Sequence, residues 1–119
     1  MARILVVDDA KFTRLTLTNI LQKANHEVVG EAADGKKAVE LHLRLQPDLT
    51  TMDITMPEMN GIEALKQIKT QSEHAIVVMC SALGQQKLIF EAIENGAKDF
   101  IAKPFDERMV LEAIERVLS

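Results

Sequence analysis

The sequence predicts an α/β fold in which a single parallel sheet is covered by helices on both faces. Short apolar runs rich in β-branched residues recur five times, and an amphipathic helical pattern follows each run. Several of these runs lack polar alternation, which is typical of strands buried on both sides. Because strands and helices alternate strictly, we predict right-handed crossovers and one doubly wound (βα)5 domain spanning residues 1–119.

Each element has a local signal of its own. The predicted strands cover residues 3–7, 28–29, 49–53, 75–80 and 100–102. The fourth helix is expected over residues 85–95, and the other four carry apolar residues at helical spacing: Leu17, Ile20, Leu21 and Ala24; Ala38, Leu41 and Leu45; Ile62, Leu65 and Ile68; Val110, Ala113, Ile114 and Val117.

The ends of these helices are marked by residues with known conformational preferences. Pro47 ends the second helix, Gly96 ends the fourth in a left-handed conformation, and Asp106 caps the fifth. The pairs Asp34-Gly35 and Asn60-Gly61 supply turns before the second and third helices.

Composition excludes several classes of protein. The chain is 47% hydrophobic and 27% charged, which is typical of an ordinary soluble globular domain. Its net charge of -4 disfavours a nucleic-acid-binding surface. No apolar run is long enough to span a membrane, and no signal-peptide pattern opens the chain. The single cysteine, Cys80, allows no internal disulfide, so we expect a cytoplasmic protein.

Polar side chains follow four of the five predicted strands. Asp8 and Asp9 come after the first strand, Asp53 ends the third, Ser81 follows the fourth and Lys103 follows the fifth. The carboxyl ends of parallel strands meet at one edge of the sheet, where open α/β sheets bind their ligands. We therefore expect these five residues to line one crevice.

The chemistry of these residues indicates a metal-assisted phosphoryl site. Three adjacent carboxylates repel one another and resist ionisation unless a cation is bound. Oxygen ligands without Cys or His favour a hard ion such as Mg²⁺, for which Mn²⁺ can substitute. Lys103 and Ser81 can then contact phosphoryl oxygens, and one Asp can act as the nucleophile that forms an acyl phosphate.

The same residues resemble the receiver domain of bacterial two-component response regulators. The matching motifs are Asp8-Asp9, Asp53 with Met56-Pro57 and Asn60-Gly61, Ser81-Ala82, and Lys103-Pro104-Phe105. Residues 9–14, 53–57 and 80–86 are most similar to the single-domain chemotaxis branch, the CheY-like regulators. The resemblance covers nearly the whole chain, and it implies a flavodoxin-like sheet with the strand order 2-1-3-4-5.

The resemblance also implies a role for each site residue. Asp53 would accept phosphoryl from a histidine kinase. Asp9 would bind Mg²⁺ directly and Asp8 through water, with the backbone carbonyl of Thr55 as a further ligand. Lys103 would contact the phosphoryl group, and its bond to the following proline would be cis. Like its relatives, the domain would show only weak self-phosphorylation from small donors and autodephosphorylation, and would not be a conventional enzyme.

Ser81 and Phe100 are the switch residues that the resemblance implies. Ser81 would move towards the phosphoryl group, and Phe100 would turn inward behind it. Many relatives have Thr and Tyr at these two positions, and the missing tyrosine hydroxyl bears on how a partner reads the switch.

A partner surface is expected on the fourth helix, fifth strand and fifth helix. The fourth helix has more apolar residues than one core stripe can take, so with Ala92 and Ile93 facing the core, others must be exposed. The candidate contacts are Leu88, Ile89, Phe90 and Phe100. The partner that binds this surface would be an output protein, such as a flagellar motor switch, or a phosphatase. We expect a monomer that contacts neither nucleic acid nor membrane.

Other interpretations remain open at this point. Asp8-Asp9 and Ser81 could each be helix caps, and His42 is expected to be half-buried packing. A Mg²⁺-dependent phosphohydrolase of the haloacid-dehalogenase type would need a second Asp where Thr55 stands. The end at Ser119 suits a stand-alone chemotaxis regulator, a phosphorelay shuttle, or a receiver cut from a longer transcriptional regulator.

Overall fold

Five strands alternate with five helices in a computed structural model that describes residues Met1–Ser119. The strands are β1 (Arg3–Val7), β2 (Glu27–Ala32), β3 (Leu49–Asp53), β4 (Val77–Ser81) and β5 (Asp99–Ala102). The helices are α1 (Lys11–Lys23), α2 (Gly35–Leu45), α3 (Gly61–Gln71), α4 (Gln86–Glu94) and α5 (Glu107–Leu118). None of these helices is both long and apolar enough to cross a membrane.

The strands form one parallel sheet with the order β2-β1-β3-β4-β5. The predicted fold class and strand order are therefore confirmed. The inner strands β3 and β4 are buried along their whole length, whereas β2 lies at an edge and is only partly covered. Partial exposure explains why β2 shows a weak apolar signal and is longer than the two residues that the sequence indicated.

Two apolar cores lie on opposite faces of the sheet. Helices α2, α3 and α4 cover one face, where Leu65, Ile68 and Met79 are fully buried. Helices α1 and α5 cover the other face around Leu21 and Ile114. This division agrees with the predicted right-handed crossovers, which send the chain to a given face according to the order of the strands.

The helix ends agree with the predicted signals, with one difference in mechanism. Asp106 and Asp34 cap α5 and α2 through hydrogen bonds to the backbone three residues on, and Gly96 ends α4 with φ +104°. The pair Asn60-Gly61 does not form a turn ahead of α3. Asn60 has extended backbone angles, φ -73° and ψ 170°, and forms a capping box at the start of α3, so Gly61 is already helical.

Two predictions about burial are wrong. Ile93 does not face the core but is 43% exposed, while Ile89 packs against the core one turn before Ala92. The apolar residues of α4 allow either orientation, and contact with α3 and the sheet selects one of them. His42 is 3% exposed rather than half-buried, and its Nδ1 has no hydrogen-bond partner.

Candidate functional site

The carboxyl edge of the sheet gathers the predicted polar residues, as expected. Asp8 follows β1, Asp53 is the last residue of β3, Ser81 is the last of β4, and Lys103 follows β5 directly. Asp53 pairs in register with Cys80, the neighbour of Ser81. The register of the parallel strands thus sets the spacing between these side chains.

Three carboxylates form a cluster at this edge. One oxygen each from Asp8, Asp9 and Asp53 lies within 4.8 Å of the other two. Asp8 and Asp53 are 3% and 6% exposed, whereas Asp9 is open to solvent. Neither Asp8 nor Asp9 is the N-cap of α1, because that position is Ala10. Oxygen donors in this arrangement suit a small, hard divalent cation that keeps some of its water ligands.

Lys103 lies between two of these carboxylates. Its Nζ is 2.8 Å from Asp8 Oδ2 and 3.1 Å from Asp53 Oδ1. Burial lowers the pKa of Lys103, but the hydrogen bonds to Asp8 and Asp53 outweigh burial and leave the pKa above its usual value. One ammonium against three carboxylates still leaves a net negative site when all are ionised. The peptide bond from Lys103 to Pro104 is cis, as the resemblance implies.

Asp53 is held in a conflict between burial and charge. Its Oδ1 accepts hydrogen bonds from the Ile54 N–H at 3.0 Å and from Lys103. Burial is the main reason that the pKa of Asp53 is raised to about 6, with repulsion from Asp8 adding to it and Lys103 opposing it. A further cation beside Asp53 would relieve this conflict.

Ser81 and Phe100 line one surface cavity with a volume of about 310 Å³, together with Lys103 and Ile89. Ser81 is buried at the sheet edge, while Phe100 is 43% exposed. The two residues that the sequence analysis paired as a switch therefore face the same open space. Of the other predicted contacts, Phe90 is 73% exposed and Leu88 is 36% exposed, but Ile89 is half-buried.

Two polar side chains at this edge were missed by the sequence analysis. Arg14 in α1 donates from Nη1 to the Asp8 carbonyl at 2.6 Å and from Nε to Glu31 at 2.9 Å. Gln85 bridges Ala82 and Thr55. Arg14 was visible only as part of a similar motif, and no spacing rule connects Gln85 with Thr55, thirty residues away.

Gly61 is the third contributor that was missed. A Cβ at Gly61 would collide with the carbonyl oxygen of Asp53, and the Gly61 N–H donates to the Ile54 carbonyl at 2.7 Å. Gly61 therefore allows α3 to begin directly against the end of β3. The sequence marks this glycine, but as a turn residue rather than as a point of close approach.

Comparison with known proteins now adds to this geometry. Residues 4–115 match the family described as the response regulator receiver domain. This chain belongs to that family. The receiver is a phosphorylation-activated signalling module rather than a conventional enzyme, and it is homologous to chemotaxis regulators.

The relatives are similar to this receiver from end to end. The chemotaxis protein CheY of Bacillus subtilis is 56% identical over 98% of both chains. The chemotaxis protein CheY of Thermotoga maritima is 54% identical over 97% of this chain and 96% of its own. CcdB of Bacillus subtilis is 58% identical over 99% of this chain and 98% of its own.

A solved structure is also closely similar. It is the complex of CheX with CheY, BeF3 and Mg²⁺ from Borrelia burgdorferi, in which the matched chain is 39% identical. The TM-score is 0.94, over 98% of the receiver and 89% of that chain. The fold and the family therefore agree with the resemblance stated from the motifs.

Proposed function

We propose that this receiver is switched by a phosphoryl group on Asp53, transferred from a histidine kinase. The observation that supports this assignment is the position of Asp53 at the end of a buried central strand, beside Lys103 and two further carboxylates. With a pKa of about 6, Asp53 is mostly ionised at neutral pH, so it is a nucleophile without needing a base.

The transfer itself exchanges one bond for another. An Asp53 carboxylate oxygen forms a bond to phosphorus while the bond from phosphorus to the donor's histidine nitrogen breaks. The product is an acyl phosphate, and the histidine takes up a proton from solvent. Lys103 already contacts Asp53, so a small movement of Nζ brings its positive charge onto a phosphoryl oxygen.

Mg²⁺ is the proposed cofactor, and Mn²⁺ can replace it. The ligands would come from Asp8, Asp9, Asp53 and the backbone carbonyl of Thr55. Asp9 is exposed, whereas Asp8 already accepts hydrogen bonds from Lys103 Nζ and the Ala10 N–H. This difference supports direct binding by Asp9 and a water-mediated role for Asp8. The bound cation would supply charge neutralisation for the phosphoryl oxygens.

The proposed output is a change of the surface formed by α4, β5 and α5. Ser81 moves towards the phosphoryl group, and Phe100 fills the space in the cavity that the two residues share. Exposed Phe90, Ile93 and Phe100 give this surface an apolar character that suits a protein partner. High identity to CheY proteins over full length supports a partner in chemotaxis, such as a flagellar motor switch or a phosphatase.

Labelling with a small phosphodonor tests the assignment of Asp53. Incubation with acetyl phosphate and Mg²⁺ should add one phosphoryl group to the wild-type chain, measured by intact mass. Asp53→Asn should abolish the addition and leave the circular dichroism spectrum unchanged. Asp34→Asn, which keeps the cap of α2 outside the site, is the matched control and should label normally. Normal labelling of the Asp53→Asn variant would contradict the assignment.

A further inference from the structure

The loop between β4 and α4 is joined to the loop after β3 by one side chain. Gln85 Oε1 accepts a hydrogen bond from the Ala82 N–H at 2.7 Å, and Gln85 Nε2 donates to Thr55 Oγ1 at 3.1 Å. Because a backbone N–H can only donate, the oxygen of the Gln85 amide must face Ala82 and its nitrogen must face Thr55. A single amide therefore spans the two loops.

The loop after β4 has little else to hold it. Leu83 is 95% exposed, and Gly84 has φ +90° with no heavy atom within 4 Å of where its Cβ would lie. Gln85 stands at the N-cap of α4 but makes no side-chain hydrogen bond to the helix backbone. Its amide thus serves the contact between the loops and not the helix, and the position of the loop depends on it.

Both ends of this bridge adjoin residues of the proposed switch. Thr55 lies two residues beyond Asp53, and Ala82 directly follows Ser81. Movement of Ser81 towards a group on Asp53 shifts the neighbouring Ala82 backbone. Since hydrogen bonds weaken steeply when their length and angle change, the bridge in its present geometry belongs to one position of the loop.

We propose that Gln85 is a positioning residue whose two hydrogen bonds hold this loop in its unphosphorylated position, and that its bond to Ala82 or to Thr55 breaks when Ser81 moves. We call this pair of hydrogen bonds the latch. The inference rests on the proposed role of Asp53. An interaction present in only one of two states biases the equilibrium towards that state. Gln85 therefore opposes activation, and its removal favours the form that binds a phosphoryl group.

Binding of beryllofluoride, a phosphoryl analogue, in the presence of Mg²⁺ tests the latch. Calorimetry on Gln85→Ala should give an affinity about threefold to tenfold higher than that of the wild type, since two solvent-accessible hydrogen bonds no longer oppose the change. Gln86→Ala is the matched control, because Gln86 is the same residue type one position on and takes no part in the bridge. Equal or weaker binding by Gln85→Ala would overturn the proposal.

A double-mutant cycle with Thr55 tests the bridge as a unit. Thr55→Val removes the hydroxyl but keeps the shape of the side chain and the backbone carbonyl. Alone it should tighten beryllofluoride binding about twofold to fivefold, and in the Gln85→Ala background it should have no further effect. The same effect in both backgrounds would mean that Thr55 acts without Gln85, and the latch would be rejected.

Hydrogen exchange separates the latch from the proposed function. In protein without metal or analogue, the Ala82 amide should exchange faster in Gln85→Ala than in the wild type or Gln86→Ala. This expectation holds whether or not Asp53 accepts a phosphoryl group. If the wild type fails to bind beryllofluoride, the proposed function falls and the switching role of Gln85 falls with it. If the wild type binds and Gln85→Ala binds equally, only the latch is overturned.

Discussion

At the scale of single residues, the proposed role of Asp53 conflicts with stability. Its pKa is raised to about 6, chiefly by burial, so the ionised form destabilises the folded state at neutral pH. We expect Asp53→Asn to raise the free energy of unfolding of the metal-free protein by on the order of 2 kcal/mol at pH 7. The Asn Oδ1 can still accept from the Ile54 N–H.

The effect of Asp53→Asn on the free energy of unfolding should depend on pH. A folded-state pKa above the unfolded value means that the folded protein holds the extra proton, so stability from Asp53 is present below pH 4 and is lost as the pH rises towards 6. Urea unfolding of both proteins at pH 4 and pH 7 should therefore show a gain for the Asn variant only at the higher pH. An equal gain at both pH values would contradict an electrostatic origin.

The two acids after β1 should respond differently to mutation. Asp8 bonds Lys103 and the Ala10 N–H, while Asp9 is exposed and lies in the carboxylate cluster. We expect Asp9→Ala to weaken Mg²⁺ binding more than Asp8→Ala does, yet to leave the metal-free melting temperature equal or higher. Calorimetric titration and thermal unfolding in chelator measure the two quantities. Equal losses of Mg²⁺ affinity would reject the ranking.

At the scale of elements, the junction between β3 and α3 has the least tolerance for change. Gly61→Ala would drive a methyl group into the carbonyl oxygen of Asp53. The expected loss is at least about 2 kcal/mol of unfolding free energy, together with weaker Mg²⁺ binding because Asp53 is displaced. Chemical unfolding and metal titration test both effects.

Gly84→Ala is the control for this substitution. Gly84 has a positive φ but an open surrounding, so Ala there should cost about 1–2 kcal/mol of backbone strain and leave Mg²⁺ affinity unchanged. Loss of Mg²⁺ affinity in both variants would mean that the collision with Asp53 is not the cause.

Helix α4 is expected to be the least stable of the three helices, α2, α3 and α4, that cover one face of the sheet. It spans nine residues, lacks a side-chain N-cap and buries only Ala92 completely. The α3 helix on the same face buries five residues and has a capping box. Amide protons of α4 should therefore exchange faster than those of α3, which hydrogen exchange measured residue by residue can show. Equal protection would contradict this ranking. A weakly held α4 also suits the proposed change of the surface formed by α4, β5 and α5.

At the scale of the whole molecule, the buried histidines destabilise the fold in mild acid, which opposes the gain from protonation of Asp53 over the same pH range. Burial lowers the pKa of His42, and the pKa of His26 is lowered by burial and by the N-terminal charge. The unfolded chain then binds more protons, so this contribution to stability is lost as the pH falls below about 6.5. His42→Leu should remove much of the loss and also the unpaired Nδ1. The exposed His74→Leu is the control, and an equal effect from it would contradict the role of burial.

The parallel sheet, with helices on both of its faces, and the edge where the polar residues meet could be predicted from the sequence alone. Continuous apolar runs and period-3.6 patterns are local, and the handedness of crossovers follows from chain chirality, so Asp8, Asp53, Ser81 and Lys103 could be assigned to one crevice from the sequence. The named motifs also led to the correct family.

The contacts between side chains that are distant in sequence could not be predicted in this way. Lys103 contacts Asp8 across 95 residues, and Gln85 contacts Thr55 across 30. Such contacts depend on rotamers and sub-ångström packing, and the spacing of apolar residues along the sequence contains no information on either. For the same reason the orientation of α4 predicted from the sequence, with Ile93 facing the core, was wrong. The orientation of a helix with apolar residues on several sides is set by the shape of the surface that it covers, and that surface exists only once the chain has folded.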